Sequence, residues 1–378
     1  MAFYDQLQSR SWDQTKQCIR EKTPADVKKA LSHAGRGTPD DLMALLSPAA
    51  EDELETMARI SRELTLKRFG KTISMYIPLY VSNECVNSCV YCGFNHHNQM
   101  HRSTLSLQQI RQEAKHINDR GFRHILMVTG EHPVKAGFPY LRQALDQLKR
   151  IFPLVSMEVQ PLKLEEYQTL AREGLNTVYI YQETYHQENY ATYHPAGPKA
   201  DFKYRLEAPE RLGKAGIHKA GLGVLLGLED WRTDSFLTGM HLRYLQKHYW
   251  RTNYSVSFPR LRPFEGSFHP NYPVSDRQMV QLIIAYRIFD EDIELALSTR
   301  ESPYFRDHAF QLGITSMSAG SSTQPGGYSQ TTDGLEQFQV ADHRPPDEIA
   351  AMLKNKGYEA VWKNWDDWLQ MIQQKSEM

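Results

Sequence analysis

The sequence predicts an α/β chain folded as a (β/α)8 barrel of the TIM type, with helical extensions before and after it. Three observations lead there. Short runs rich in Val, Ile and Tyr recur eight times between residues 73 and 317, amphipathic stretches of 10 to 15 residues separate them, and a Gly or a return to β-type residues ends each stretch. Eight strands alternating with helices over about 250 residues form the pattern of a closed parallel barrel, whose active site lies at the C-terminal ends of its strands.

Residues 1–70 read as a helical N-terminal region. Thr23-Pro24 and Thr38-Pro39 each set a capping hydroxyl before a proline suited to the first helical position, and polar segments of helical period run on to ELTLKRFG. The barrel is expected over residues 71–322, with strands at Ile73 to Val81, His124 to Thr129, Val155 to Gln160, Thr177 to Tyr181, Lys219 to Leu225, Tyr254 to Phe258, Ile293 to Leu297 and Ile314 to Met317. The helices between them include LSLQQIRQEAKHINDRG, YLRQALDQLKRIF, LEEYQTLAREG and RLEAPERLGKAG. Residues 323–378 form a C-terminal extension that restarts with RPPDEIAAMLKNKG and closes with a Trp-bearing helix around EAVWKNWDDWLQMI, docked on the barrel. SAGSSTQPGGYS reads as a short loop, and no internal repeat is found.

The 44 Lys and Arg are balanced by 45 Asp and Glu, a net charge of -1, which argues against nucleic acid or an anionic membrane as a partner. No run approaches the roughly 20 apolar residues of a membrane span. The N-terminus, MAFYDQLQSRSWDQTKQ, is polar where a signal peptide is apolar, so the expected location is the cytoplasm.

Four cysteines are too few for a disulfide scaffold, and three of them fall within eight residues. Cys85-x3-Cys89-x2-Cys92 follows directly on the first predicted strand, at the catalytic end of a barrel. Three thiolates on one loop can hold three corners of an iron-sulfur cube and leave the fourth iron open to a substrate or cofactor. The competing reading is a structural zinc site with His96 or His97 as fourth ligand. Zinc usually takes a Cys-x2-Cys pair with a second, distant Cys or His pair, and no second Cys pair exists here. Cys18 stands alone in a predicted helix and reads as an inert buried thiol.

With Tyr91 just before the last cysteine, this segment resembles the cluster motif of the radical S-adenosylmethionine enzymes. The resemblance implies a [4Fe-4S] cluster on Cys85, Cys89 and Cys92 whose open iron chelates the amino and carboxylate groups of S-adenosyl-L-methionine. Reduction of the sulfonium then yields methionine and a 5'-deoxyadenosyl radical. Thr129-Gly130-Glu131, after the second strand, resembles the family's GGE element, which receives the cofactor's amino group. Glu183, in Gln182-Glu183-Thr184-Tyr185, resembles a polar contact to the cofactor. Arg205, expected to begin the helix after strand four, resembles the residue that binds the cofactor carboxylate through a charge-assisted fork. Gly221-Leu222-Gly223 with Gly227-Leu228-Glu229, on strand five, resembles the GxIxGxxE element that packs beside adenine, with Gly223 as the contact. It is not a dinucleotide fingerprint, since its glycines lie within a strand.

Within that family, PLYVSNECVNSCVYCGF, MVTGEHP, YQETY, YHPAGPKADFKYR, GVLLGLEDWR, SFPRLRP, LSTRE and SMSAGSSTQPGGYS are similar to the 2-iminoacetate synthases, the tyrosine lyases of thiamine biosynthesis, over nearly the whole chain. This implies cleavage of the Cα–Cβ bond of L-tyrosine to 2-iminoacetate (dehydroglycine) and p-cresol, with 5'-deoxyadenosine and methionine. It also implies delivery of the imine to thiazole synthase, and an electron donor such as flavodoxin or ferredoxin. A cation must then hold the tyrosine carboxylate. Arg300 in LSTRE is preferred, Arg260 and Arg262 in FPRLRP are the alternatives, and Ser318 and Ser321 at the end of strand eight are further contacts to the amine or carboxylate. Cysteine counting separates siblings, because a hydrogenase-maturing tyrosine lyase and biotin synthase both need further cysteines and none follows Cys92. A related aromatic amino-acid lyase or a deazaflavin-forming enzyme shares much of the barrel. From a different class, a zinc-stabilised, non-catalytic subunit of a thiazole-forming complex stands as the alternative.

Overall fold

The strands are β1 (Thr72–Ser82), β2 (His124–Thr129), β3 (Leu154–Glu158), β4 (Thr177–Tyr179), β5 (Lys219–Gly223), β6 (Asn253–Ser257), β7 (Glu294–Leu297) and β8 (Ser316–Ser318). In the computed structural model of the protein, which describes residues 2–329 and 336–363, each pairs in parallel with the next. β1 pairs with both β2 and β8, in the registers Ile77↔Ile125 and Ser74↔Ser316, and this closes the expected barrel. Where the sequence carries a strand beyond Tyr179 or Gly223, the chain has left the ladder to build the loops of the site.

β1 shows how the pleat sorts side chains. Ile73, Met75, Ile77, Leu79 and Val81 join the main apolar core, while Tyr76, Pro78 and Tyr80, on the alternate positions, line a cavity inside the barrel.

Helices α1 (Phe3–Gln8), α2 (Trp12–Arg20), α3 (Pro24–Ser32), α4 (Pro39–Leu46) and α5 (Leu54–Phe69) precede the barrel. Both expected caps are present as capping boxes: Thr23 and Thr38 accept from the backbone of Asp26 and Asp41, whose carboxylates accept in return from the cap N–H at 2.8 and 2.7 Å. α6 (Leu107–Asp119), α7 (Phe138–Leu148) and α8 (Leu164–Arg172) follow β1, β2 and β3. Three short helices, α9 (Gln187–Tyr193), α10 (Phe202–Leu206) and α11 (Ala208–Ala215), follow β4, and α12 (Trp231–His248), α13 (Asp276–Phe289) and α14 (Pro303–Ala309) follow β5, β6 and β7. α4 and α5 pack on the outer side of α12 and α13, where the Gln281 amide donates to the carbonyls of Leu45 at 3.0 Å and Ser47 at 2.8 Å.

The C-terminal extension departs from expectation at its end. α15 (Pro346–Asn355) is the helix read in RPPDEIAAMLKNKG, but Glu359–Val361 is a strand, β9, rather than the start of a helix. It pairs in parallel with Thr72–Ser74 of β1, before the stretch that meets β2, so unused ladder positions override local helical preference. Trp362 packs on Phe122 with ring centroids 5.1 Å apart. The rest of the expected Trp-bearing helix, from residue 364, lies outside the described residues. Cys18 is exposed, not buried, because α2 turns Thr15 and Ile19 inward and leaves their neighbour on the outer face. Among the described residues no helix is long and apolar enough to cross a membrane.

A buried ion pair ties the extension to the barrel. Arg306 of α14 and Asp342 are both fully buried; Arg306 also donates to the Ser318 carbonyl at the tip of β8, and Arg344 joins Asp342 at 2.7 Å. Asp342→Asn leaves Arg306 without its countercharge in the interior, with an expected loss of roughly 3 to 5 kcal/mol. Chemical denaturation measures it, and an unchanged midpoint would show that the pair does not anchor the extension.

Candidate active site

The cysteine loop leaves β1 and is held by backbone hydrogen bonds to three other segments. Val86 N–H donates to the Glu131 carbonyl at 3.0 Å, Ser88 and Val90 N–H donate to Ala196 and Tyr193 at 3.0 and 3.1 Å, and Gly93 N–H donates to Gln337 at 3.0 Å. The Asn87 side chain reinforces this, donating to Glu131 Oε2 at 2.9 Å and accepting from the Lys199 N–H at 2.9 Å. Two glycines permit the approach. A side chain on Gly130 would run into the Glu84 carbonyl, and one on Gly197, at φ 96°, would run into Asn87.

Cys85, Cys89 and Cys92 line one cavity of about 910 Å³, counted out to its mouth. Burial pushes all three thiols up, Cys92 to about 11, so thiolates form here only against a strong positive charge such as iron. Among the described residues no three Cys, His, Asp or Glu side chains converge on a point that could hold a single ion. His96 Nδ1 lies 3.3 Å from the Cys85 carbonyl, and His97 Nε2 lies 3.1 Å from Ser88 Oγ. Three thiols on a common cavity fit three corners of an iron-sulfur cube.

Beside the cysteines lies a buried charged network. Arg205 is the fourth residue of α10, the second helix after β4, rather than the start of the first. Its Nη1 donates to Glu131 Oε1 at 2.8 Å, its Nε donates to the Tyr181 carbonyl at 2.7 Å, and its Nη2 lies 3.9 Å from Glu183 Oε1. Lys199 Nζ meets the same Glu183 oxygen at 2.6 Å. Burial alone would push the Glu131 carboxyl up, but Arg205 and Lys199 outweigh it and hold that carboxyl below its ordinary range. Glu183 has φ 69°, the sole positive value on a described residue other than glycine. The Asp234 carboxylate holds the following turn, accepting from Tyr185 N–H at 2.7 Å and Thr184 Oγ1 at 3.1 Å. Tyr91 also lines the cavity, its hydroxyl 2.7 Å from His194 Nε2.

Gly223 does not reach this cavity. A side chain there would meet the Tyr181 ring and the Ser257 carbonyl, and Leu225, two residues on, supplies the wall instead. Gly227 and Glu229 lie beyond the end of β5, not on it.

A second cavity adjoins the first and shares part of its wall. Arg300 lines both, its guanidinium centred 3.3 Å from the Phe338 ring centroid. Arg262 lines the first cavity, with Nε buried and unpartnered among the described residues. Arg260 lines neither, its guanidinium held by Glu301 and by Asp276, the latter at 2.7 Å. Ser318 and Ser321 line the second cavity; Ser318 Oγ accepts from the Thr299 N–H at 3.1 Å, and Ser321 Oγ is buried without a partner among the described residues.

Several lining residues escaped the sequence reading. Glu158 lines both cavities, and its signal was a carboxylate at the C-terminal tip of a barrel strand. Asn87 and Lys199 sat inside recognised segments without an evident role. Gln337 and Phe338 had no signal, because they arrive from the C-terminal extension. Gln337 Oε1 accepts from the Tyr80 hydroxyl at 2.6 Å, and its Nε2 lies 4.0 Å from Cys92 Sγ.

Comparison with known proteins accords with this geometry. Residues 79–237 match the Radical SAM superfamily, and residues 257–359 match the Biotin and Thiamin Synthesis associated domain. The chain is 50% identical to the 2-iminoacetate synthase of Escherichia coli (strain K12) over 99% of each chain, and 50% identical to that of Salmonella typhimurium over 97% of each. The crystal structure of HydG, a maturase of the FeFe-hydrogenase, superposes with a TM-score of 0.88 at 32% identity, covering 93% of this chain and 80% of that one. Identity of this extent, on a barrel that opens three thiols onto one cavity, establishes the chain as a member of the 2-iminoacetate synthase family of radical S-adenosylmethionine enzymes, which work with a [4Fe-4S] cluster and S-adenosyl-L-methionine.

Proposed function

We propose that this protein cleaves the Cα–Cβ bond of L-tyrosine to 2-iminoacetate and p-cresol. The observation that carries this reading is the pair of adjoining cavities, one lined by three thiols and a charged network, the other by tyrosine side chains, four serines and Arg300. When bound, the cluster and S-adenosyl-L-methionine supply a radical that removes a hydrogen atom from the substrate.

The protein's own part is to hold, orient and shield. Cys85, Cys89 and Cys92 would carry the cluster. Tyr91, Gly130, Glu131, Glu183 and Arg205 would receive S-adenosyl-L-methionine, whose amino group suits the carboxylates and whose carboxylate suits Arg205. Arg300 would take the tyrosine carboxylate through its planar fork, with Arg262 as the second cation. Ser318, and Ser321 with its unpartnered hydroxyl, would contact the substrate's amine or carboxylate. The enclosing barrel keeps water from the reacting atoms. The imine product suits delivery to thiazole synthase for thiamine biosynthesis, and flavodoxin or ferredoxin suits the role of electron donor.

Anaerobic turnover with reductant, S-adenosyl-L-methionine and each aromatic amino acid in turn tests the reading; p-cresol and 2-iminoacetate are expected from tyrosine alone. Cys89→Ala is expected to lose the cluster and deoxyadenosine formation, and Cys18→Ala to keep both; iron content and product assays decide. Arg205→Lys keeps the charge but loses the fork, so S-adenosyl-L-methionine affinity should fall roughly tenfold with iron content unchanged. Arg300→Lys should uncouple the reaction, making deoxyadenosine with much less p-cresol per cleavage and a raised tyrosine requirement. Wild-type coupling in that variant would move the carboxylate site to Arg262.

A further inference from the structure

Seven residues belong to both cavities: Val128, Glu158, Tyr179, Tyr181, Pro259, Arg300 and Phe338. Of these only Glu158 and Arg300 carry a charge, and they stand on the tip of β3 and the loop after β7, so an amino acid lying across the junction meets one anion and one cation. Arg300 can match only the carboxylate. We propose that Glu158 is the base that takes the extra proton of the substrate's ammonium group, presenting tyrosine at the junction as a neutral amine. The inference rests on the tyrosine reading above.

Where the hydrogen atom is taken from the substrate nitrogen, the chemistry calls for such a group. An ammonium nitrogen has no lone pair, and loss of a hydrogen atom from it leaves a buried radical cation, whereas loss from the amine leaves a neutral nitrogen radical. The transfer is a plain proton exchange in which R–NH3+ and the Glu158 carboxylate become R–NH2 and the carboxylic acid, with no change in electron count. The proton returns to solvent when the products leave.

The surroundings of Glu158 suit that exchange. Burial pushes its carboxyl up, while Arg300, Lys199 and Arg205 favour the charged form and Glu183 opposes it. Tyr76, Tyr80, Tyr179 and Tyr181 also face it, their hydroxyls held neutral by burial. The balance is a carboxyl that titrates at about 7, charged above that pH and able to keep a proton near it.

The test compares wild type, Glu158→Gln and Glu158→Asp as cluster-loaded proteins of equal iron content. Tyrosine affinity is measured beside that of 3-(4-hydroxyphenyl)propionate, which lacks the amine, and p-cresol formation is followed across pH. Glu158→Gln should bind the amine-free acid like wild type and bind tyrosine more weakly. It should form p-cresol roughly 10²-fold more slowly at neutral pH, recovering as the pH climbs toward the amino group's own titration. Glu158→Asp should fall between the two. A wild-type rate and pH profile in Glu158→Gln would overturn the proposal, as would equal weakening of both ligands, the mark of a merely structural residue. Should the wild type itself form no p-cresol, the tyrosine reading falls, while the binding comparison, which needs no turnover, still decides whether Glu158 meets the amine.

Discussion

The buried ion pair between Arg205 and Glu131 is the contact on which the cysteine cavity depends. One charge comes from α10, the other from the turn after β2, and Asn87 of the cysteine loop takes the remaining Glu131 oxygen. Loops that diverge from three strands are thereby fixed at one carboxylate. Neither partner can be lost alone, since the other would stay charged in the interior at a cost of several kcal/mol. The same pair keeps Glu131 ionised despite its burial, so the cavity wall presents fixed charges in place of the water it excludes.

Around that contact the backbone accepts strain and close approach. Glu183 sits at a positive φ because the turn after it is captured by Asp234 of α12, and its carboxylate is returned to Lys199 beside the thiols. Such a conformation persists only where the neighbours over-determine it, and it occurs here at the rim of the reacting centre. The alternation along β1 that buries aliphatic side chains outward turns tyrosines inward, giving an aromatic second cavity whose hydroxyls stay neutral. Radical chemistry needs both properties: a dry enclosure and walls that hold charge only at chosen points.

The C-terminal extension completes the site rather than merely covering the barrel. Gln337 links the Tyr80 hydroxyl to the neighbourhood of Cys92, and Phe338 forms the face on which Arg300 rests. The segment is anchored by Asp342, which meets the buried Arg306, and β9 extends the ladder of β1. Stability of the extension and the placement of Arg300 are therefore coupled.

What the sequence determined by itself was local and periodic. Short runs rich in Val, Ile and Tyr between amphipathic stretches marked all eight barrel strands, the Thr-Pro pairs marked two capped helices, and the spacing of Cys85, Cys89 and Cys92 marked the cluster loop, because each depends on residues within a turn or a strand of one another. Tertiary structure alone decided which polar groups face one another. It sent Arg260 to Glu301 and left Arg300 at the junction, turned Gly223 under Tyr181, exposed Cys18, made Glu359–Val361 a strand and brought Glu158 opposite Arg300. A side chain's partner across a barrel is set by strand register and by loops that return from far along the chain, and neither leaves a mark in the residues immediately beside it.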